Sequence, residues 1–293
     1  MGRKLKIHKP LPCRFDDVLN VAADGLPYSE LIPVKPFVKW VGGKRSIIKE
    51  LEGRLPKEYT RYYEIFVGGG ALFFAVQPHN AYLADTNFHL ILTYLAIRDD
   101  VKRVIRNLKI HKAKHCKEYY LKARVRLNIE ADYVKVAALL IYLNKTCYNG
   151  LYRVNKSGGF NVPIGNYKNP VIVDGDNLHN VSNVIQNTEI VHHSFEQTPV
   201  EKKAFYYIDP PYHETYSNYS SGGFDDTEHE KLAHFCHKIT NSGGYFMLSN
   251  SNAHFIRTLY KDYCIETVSA LRSVSCKADQ REKKGECIIR NYK

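Results

Sequence analysis

The chain is short of several things at once. Its 293 residues include one tryptophan, two methionines and 30 acidic side chains against 42 lysines and arginines. No apolar run approaches the roughly 18 to 20 residues of a membrane-spanning helix. The opening Met-Gly-Arg-Lys-Leu-Lys also lacks the apolar stretch of a signal peptide. The expectation is a soluble, intracellular protein with no membrane partner. Seven cysteines, at positions 13, 116, 147, 236, 264, 276 and 287, make an odd number with no C-x-x-C pair. That argues against a disulfide scaffold and for a reducing compartment. There is no internal repeat and no low-complexity tract, which sets aside solenoids and compositional linkers. His229, His234 and His237 lie close to Cys236 in a predicted helix, but no second cluster completes four ligands, so no metal is expected.

What is present is an ordinary globular composition, 44% apolar and 25% charged, carrying a net charge of +12. The positive residues recur along the whole chain, which favours a polyanionic partner, nucleic acid first. Nothing in the sequence calls for a protein partner.

Along the chain, residues 1–30 are polar, basic and punctuated by proline, and read as an N-terminal extension. From Phe37 a turn at Gly42-Gly43-Lys44 enters a predicted helix from Ser46 to Leu51. Tyr62 to Phe66 reads as a strand stopping at Gly68-Gly69-Gly70, and Ala71 to Val76 as a helix. Ala81 to Ala84 reads as a strand ending on Asp85, followed by a helix from Asn87 to Ile97. Strand, glycine turn, helix, strand, acidic residue is the order of a parallel α/β nucleotide-binding half. From 99 to 187 the texture changes to basic helices (Val101–Leu108, Lys117–Leu127, Tyr133–Leu143) and a stretch dense in Asn, Gly and Tyr. The α/β pattern then resumes with strands at Glu189–Val191, Phe205–Ile208 and Tyr245–Leu248 and a helix from Glu228 to Ile239. The alternating tail from Cys264 to Tyr292 predicts a closing hairpin. The fold class is α/β, divided into a core of 31–98 and 188–293 and an insertion of 99–187.

The most informative string is Asp209-Pro210-Pro211-Tyr212, at the end of the strand Phe205–Ile208. It sets a carboxylate, a rigid carbonyl and an aromatic face at a strand's carboxyl end. Consecutive prolines fix φ and offer no N–H, so the Pro210 carbonyl stays outward. A ring amine such as that of adenine is a poor nucleophile because its lone pair is delocalised. An acceptor pair, Asp209 and the Pro210 carbonyl, can hold its two N–H groups out of plane while Tyr212 lies against the ring. Gly68 to Gly70 would let backbone amides approach a polar ligand, with Asp85 at about the 20-residue offset of a ribose-binding acid. The spacing is not that of a dinucleotide fingerprint. Gly42-Gly43-Lys44-Arg45-Ser46 lacks the earlier glycine of a P-loop, so nucleotide hydrolysis is set aside.

Taken together these strings resemble the Dam-like family of DNA adenine N6-methyltransferases, in the arrangement with the target-recognition region ahead of the catalytic motif. Phe37 to Lys44 is similar to the family's N-terminal cofactor motif, Glu64 to Gly70 to its glycine motif, Asp85-Thr86-Asn87 to its acidic motif, and Asp209 to Tyr212 to its catalytic one. Asn144 to Asn155, followed by Gly159-Phe160-Asn161-Val162-Pro163, resembles the family's DNA-recognition hairpin. The match runs from Phe37 to Tyr292.

The resemblance implies a Rossmann-like methyltransferase sheet, mostly parallel with a C-terminal antiparallel hairpin, and an inserted, mainly helical DNA-recognition domain with a β-hairpin. It implies S-adenosyl-L-methionine as cofactor. Trp40 and Lys44 would lie near its methionine end, Glu64, Phe66, Gly68 and Gly70 beneath it, Asp85 on the ribose, Phe195 against its adenine and Asp209 beside the reacting methyl. It implies double-stranded DNA as partner, GATC or a GATC-like site, and a target adenine flipped out to stack on Tyr212. Arg153 would read a base, because a planar guanidinium can bond guanine O6 and N7 together. Tyr148, Asn149, Leu151 and Asn155 would shape the same hairpin against the duplex. Lys102, Arg103, Arg106, Lys109, Lys112 and Lys114 would contact phosphates. Cys147 reads as a packing residue and His213 as solvent-facing. The stretch from Tyr216 to Phe224 is Ser/Gly-rich, and the tail from Ser273 to Glu286 resembles the family only loosely. Two other readings stay open at this stage: a catalytically inactive DNA-binding regulator on the same scaffold, and an RNA or protein amide methyltransferase.

Overall fold

Strand residues alternate between two apolar layers, and this alternation organises the molecule. The computed structural model describes residues 31–213, 224–268 and 285–293. The predicted extension of 1–30, most of the Ser/Gly-rich stretch and most of the loosely matching tail lie outside them. Strands β1 (Tyr62–Glu64), β2 (Ala81–Asp85), β3 (Glu189–His192), β4 (Phe205–Ile208), β5 (Tyr245–Ser251), β6 (Cys264–Val268) and β7 (Glu286–Arg290) form one sheet, ordered β3-β2-β1-β4-β5-β7-β6. The pairs from β3 to β5 are parallel; β7 runs antiparallel to both of its neighbours. The expected α/β class, mostly parallel sheet and antiparallel closing strands are therefore present.

Side chains one residue apart face opposite ways. Tyr62, Leu83, Phe205, Met247 and Ile288 join one buried cluster, while Tyr63, Tyr82, Tyr206, Phe246 and Ile289 join the other. On that second face Tyr63 sits opposite both Tyr82 and Tyr206 in the register, with ring centroids 5.0 and 4.5 Å away. This row of rings pins three strands, because a one-residue slip would turn every ring to the opposite face.

Helices α1 (Ile48–Glu52), α2 (Ala71–Val76), α3 (Phe88–Ala113), α4 (Lys117–Leu127), α5 (Tyr133–Thr146), α6 (Gly175–Val184), α7 (Asp226–Asn241) and α8 (His254–Leu259) complete the described elements with three short 3₁₀ turns. None of the described helices is long and apolar enough to cross a membrane. Helix α3 begins under an Asn87 cap and breaks at Asp100 (φ −152°, ψ 59°), whose carboxylate accepts the Arg103 amide at 3.1 Å and caps the second half. The break falls between the two helices expected there. Helix α6, which lies in the stretch dense in Asn, Gly and Tyr and was not among the predicted helices, is capped by Asp174 and buries Leu178 and Val181.

Residues of α4 and α5 and the hairpin residue Phe160 belong to the same buried cluster as Tyr62 and Phe205. The segment 99–187 thus shares a continuous core with one face of the sheet. Each large side chain in that core stabilises by about 1.5 to 3 kcal/mol.

The strand order reverses between β1 and β4, so the carboxyl ends of these neighbours open a crevice where parallel α/β proteins bind ligands. Glu64 to Gly70 leaves β1 there, and Asp209 to Tyr212 leaves β4.

Candidate active site

The turn after β1 needs glycine at two places. Gly68 (φ +47°) has the Trp40 indole so close that a Cβ would lie 2.6 Å from its Cδ1, and Gly70 (φ +65°) would put a Cβ 2.7 Å from the Tyr94 hydroxyl. Both conformations are left-handed, which a side chain would strain. Asp85 holds the turn from β2: its carboxylate accepts the Gly68 amide at 3.0 Å and the Asn87 amide at 2.8 Å. Burial pushes the Asp85 carboxyl above its usual range, opposed by these two amides.

Glu64 is almost wholly buried, and its Oε2 accepts both the Tyr62 hydroxyl at 2.7 Å and the Phe73 amide at 3.1 Å. Burial pushes its carboxyl up to about 8 despite these donors.

Lys44, only 4% exposed, comes from the 3₁₀ turn Lys44–Ser46. Its Nζ lies 2.8 Å from Asp209 Oδ2, donates to the Gly42 carbonyl and stands 4.8 Å from the centre of the Tyr212 ring. The N-terminal glycine turn and the Asp209–Tyr212 turn, 165 positions apart, therefore meet at one ammonium group. Burial raises the Asp209 pKa, Lys44 opposes this, and Glu286 adds to the rise. Asp209 Oδ1 is buried and accepts no hydrogen bond among the described residues. A buried carboxylate oxygen without a donor is costly. The Tyr212 hydroxyl donates to Glu286 Oε2 at 3.2 Å.

Beside this centre Phe195 stacks on Phe66 at 5.8 Å, with Phe224 against both. These rings form an apolar wall beside the glycine turn. His213, expected to face solvent, instead stacks on Phe255 at 4.7 Å and reaches Asp226 at 3.0 Å. The Phe255 ring of α8 and the Asp226 carboxylate of α7 fix its position.

The recognition string folds as a short turn and a hairpin. Asn149 (φ 53°) and Gly150 (φ +65°) both adopt left-handed backbone, the geometry of a tight turn, and leave the Tyr148 ring 45% exposed. Leu151 is half-buried, and its carbonyl accepts the Cys147 thiol at 3.3 Å. Burial pushes that thiol up to about 11, which suits a packing residue. Val154 bridges Phe160 in antiparallel fashion, and the Asn155 side-chain oxygen accepts from Ser157 and Gly159 to close the hairpin end. Arg153 donates from Nε to Asn161 Oδ1 at 2.8 Å and from Nη2 to the Asn161 carbonyl at 3.3 Å. One edge of its guanidinium is thereby fixed. In the cationic series on α3, Arg103 pairs with Asp132, whereas Lys102, Arg106, Lys109, Lys112 and the adjoining Lys114 are exposed.

Several contacts were not foreseen. Tyr152 stacks on Trp40 at 5.7 Å and shares a hydrogen bond with His89 at 3.0 Å, joining the hairpin to the cofactor-motif turn. Asn144, Glu286 and the pair of Lys39 with Tyr167 (Nζ to hydroxyl 3.2 Å) join segments far apart in sequence. No spacing rule could have paired them. Among the described residues no group of three or more His, Cys, Asp or Glu side chains is arranged to hold a metal ion.

Comparison with known proteins agrees with this geometry. Residues 40–274 match the family described as D12 class N6 adenine-specific DNA methyltransferase. The chain is 42% identical to the Type II methyltransferase M.MjaIII of Methanocaldococcus jannaschii, over 88% of this chain and 99% of that protein. It is 36% identical to the Type II methyltransferase M1.LlaDCHI of Lactococcus lactis subsp. cremoris, over 89% and 96% of the two chains. It is 31% identical to the Retron Ec67 DNA adenine methylase of Escherichia coli, over 86% and 90%. With a glycine turn, an acidic residue and an Asp-Pro-Pro-Tyr turn gathered at one sheet edge, and with matches spanning most of its length, the chain belongs to the D12 class of N6 adenine-specific DNA methyltransferases.

Proposed function

We propose that this enzyme transfers the methyl group of S-adenosyl-L-methionine to N6 of an adenine flipped out of duplex DNA, at GATC or a GATC-like site. The observation that carries this reading is the Asp209 carboxylate. One oxygen is held by Lys44 at 2.8 Å, and the other is buried and accepts no hydrogen bond from the described residues. That second oxygen is an acceptor for one N6–H, and the Pro210 carbonyl is the acceptor for the other. Holding both turns the nitrogen lone pair out of the ring plane. Tyr212 stacks on the base, and the flip costs a few kcal/mol. The rate comes from holding acceptor and donor in line and from the carboxylate facing the positive charge that develops on nitrogen. Asp209 or water then takes the released proton.

The residues around the crevice fit the cofactor, which when bound supplies a methyl group on a positively charged sulfur. Gly68 and Gly70, where a Cβ would meet Trp40 or Tyr94, let the turn pack closely on those rings and so fix its backbone at the crevice. Asp85 is the acceptor for ribose hydroxyls, and its two bonds to amides leave lone pairs for that role. The wall of Phe66 and Phe195 suits the adenine ring. Trp40 and Lys44 take the methionine end, with Glu64 fixing the turn from beneath.

We read residues 99–187 as the target-recognition region and residues 31–98 with 188–293 as the catalytic region. Arg153 is the base reader, its guanidinium aimed by Asn161, while Tyr148, Asn149, Leu151 and Asn155 shape the surface that meets the duplex. The exposed lysines on and beside α3 supply phosphate contacts.

The test is transfer of labelled methyl from S-adenosyl-L-methionine to two duplexes that differ only in GATC against a scrambled site. Label on adenine N6 at GATC is the expected result, with a loss of roughly 10²- to 10³-fold or more in Asp209→Ala. Equal labelling of both duplexes would remove the proposed specificity, and full activity in Asp209→Ala would remove the proposed mechanism.

A further inference from the structure

Two contacts bear on the Tyr212 ring and its hydroxyl. The Lys44 ammonium stands over its ring at 4.8 Å, and its hydroxyl donates to Glu286 Oε2 at 3.2 Å. The second contact depends on the reversal of one strand. Because β7 runs antiparallel to β5, its first residue lies beside the last residue of β5, and Glu286 pairs in register with Ser251 and, on the other side, with Val268. Glu286 thus arrives at the carboxyl edge of the parallel strands, where Asp209 and Tyr212 emerge, and it is 8% exposed.

A stacking ring keeps rotational freedom about its side-chain bonds, and a fixed acceptor at its para hydroxyl removes much of it. Misplacement of about 1 Å at a reacting centre can cost about 10²-fold in rate. A carboxylate is also the stronger acceptor for a phenol, since ionic hydrogen bonds are roughly twice as strong as neutral ones.

We propose that Glu286 is a positioning residue for methyl transfer: its carboxylate accepts the hydrogen bond of the Tyr212 hydroxyl and sets the angle at which that ring meets the target base. The inference rests on the reading of Tyr212 as the ring that stacks on the flipped adenine. Glu286 acts through Tyr212 and need not touch substrate.

Non-additivity reads this coupling. Single-turnover methylation at saturating DNA is measured for wild type, Glu286→Ala, Glu286→Gln, Tyr212→Phe and the double variant Glu286→Ala/Tyr212→Phe. Glu286→Ala should be roughly 10- to 100-fold slower with KM for DNA little changed. Glu286→Gln keeps an acceptor oxygen and should recover most of that loss. The double variant should be no slower than the slower single variant. Losses that multiply in the double variant, or a wild-type rate in Glu286→Ala, would overturn the proposal. If Glu286→Ala does not fold, Glu286→Gln with Tyr212→Phe completes the same comparison. Crystal structures of the free wild-type and Glu286→Gln proteins give a reading that needs no turnover. The hydroxyl of Tyr212 bonded to the introduced amide oxygen supports the inference, and a Tyr212 ring in its original position with that bond broken overturns it. A wild-type protein that methylates no DNA would defeat the functional reading separately, while these structures still decide whether residue 286 sets the ring.

Discussion

Asn144 and Lys39 are joined by two hydrogen bonds at once. The Asn144 side-chain oxygen accepts the Lys39 amide at 2.8 Å, and its amide group donates to the Lys39 carbonyl at 2.8 Å and to the Gly150 carbonyl at 2.9 Å. One buried side chain thus ties the turn that carries Trp40 and Lys44 to the turn that opens the recognition hairpin. Replacing it with leucine leaves those backbone groups without partners, at about 1 to 3 kcal/mol for each that stays buried. Asn144→Leu should therefore lower the melting temperature by several degrees, whereas substitution of exposed Lys109 should leave it unchanged. Equal melting temperatures would show that water replaces the clamp.

Lys44 opposes the rise that burial imposes on the Asp209 pKa. Without the ammonium, desolvation and the Glu286 charge are opposed only by the weaker influence of the Tyr212 hydroxyl, so the Asp209 pKa rises further. In Lys44→Met the acid limb of the pH profile of kcat should move to higher pH at saturating methyl donor. Superimposable limbs in the two enzymes would separate Lys44 from the ionisation of Asp209.

Glu64 makes stability depend on pH in the opposite sense to a surface carboxylate. Its carboxyl ordinarily titrates near 4.5 and is pushed by burial up to about 8 in the fold. Between these values the folded protein holds a proton that the unfolded chain has released, so stability falls as pH rises from about 4.5 to about 8. Glu64→Gln removes this titration and keeps an oxygen for the Tyr62 and Phe73 donors. Its melting temperature relative to wild type should climb between pH 5 and pH 8 in thermal scans, and a constant difference would contradict the buried, protonated carboxyl.

Arg153 should govern discrimination more than affinity. Arg153→Ala is expected to lose roughly 1 to 3 kcal/mol of preference for the cognate base pair. Arg153→Lys should lose most of it too, because an ammonium cannot make the paired contact. The ratio of kcat/KM on the preferred site to that on single-base variants measures this, and an unchanged ratio in both variants would move the reading role elsewhere. Binding of each variant to unrelated duplex should weaken only as one lost phosphate contact would, seen as a small change in salt slope.

Local chemistry made much of this legible from the sequence. Short continuous apolar runs gave β1, β2, β4 and β5, because a parallel strand buried on both faces reads as an unbroken apolar stretch. Gly68 to Gly70 marked the turn after β1, and Asn87 marked the start of the helix that it caps. The ordered strings also pointed to the family. Three features were less legible. Helix α6 was masked by its Asn-rich composition, although Asp174 caps it. His213 was expected in solvent because nothing local connects it to Phe255, 42 positions away. The recognition segment looked separable by composition, yet it shares the sheet's core.

The sequence by itself determined the α/β class, the glycine turn, the catalytic string and the hairpin, because each depends on backbone preferences within a few neighbouring residues. Only the tertiary structure decided that Lys44 meets Asp209, that Asn144 clamps Lys39 to Gly150 and that Glu286 reaches Tyr212. Those pairings depend on strand order and on the reversal of β7, and strand order is fixed by packing across the whole sheet, which no local pattern records.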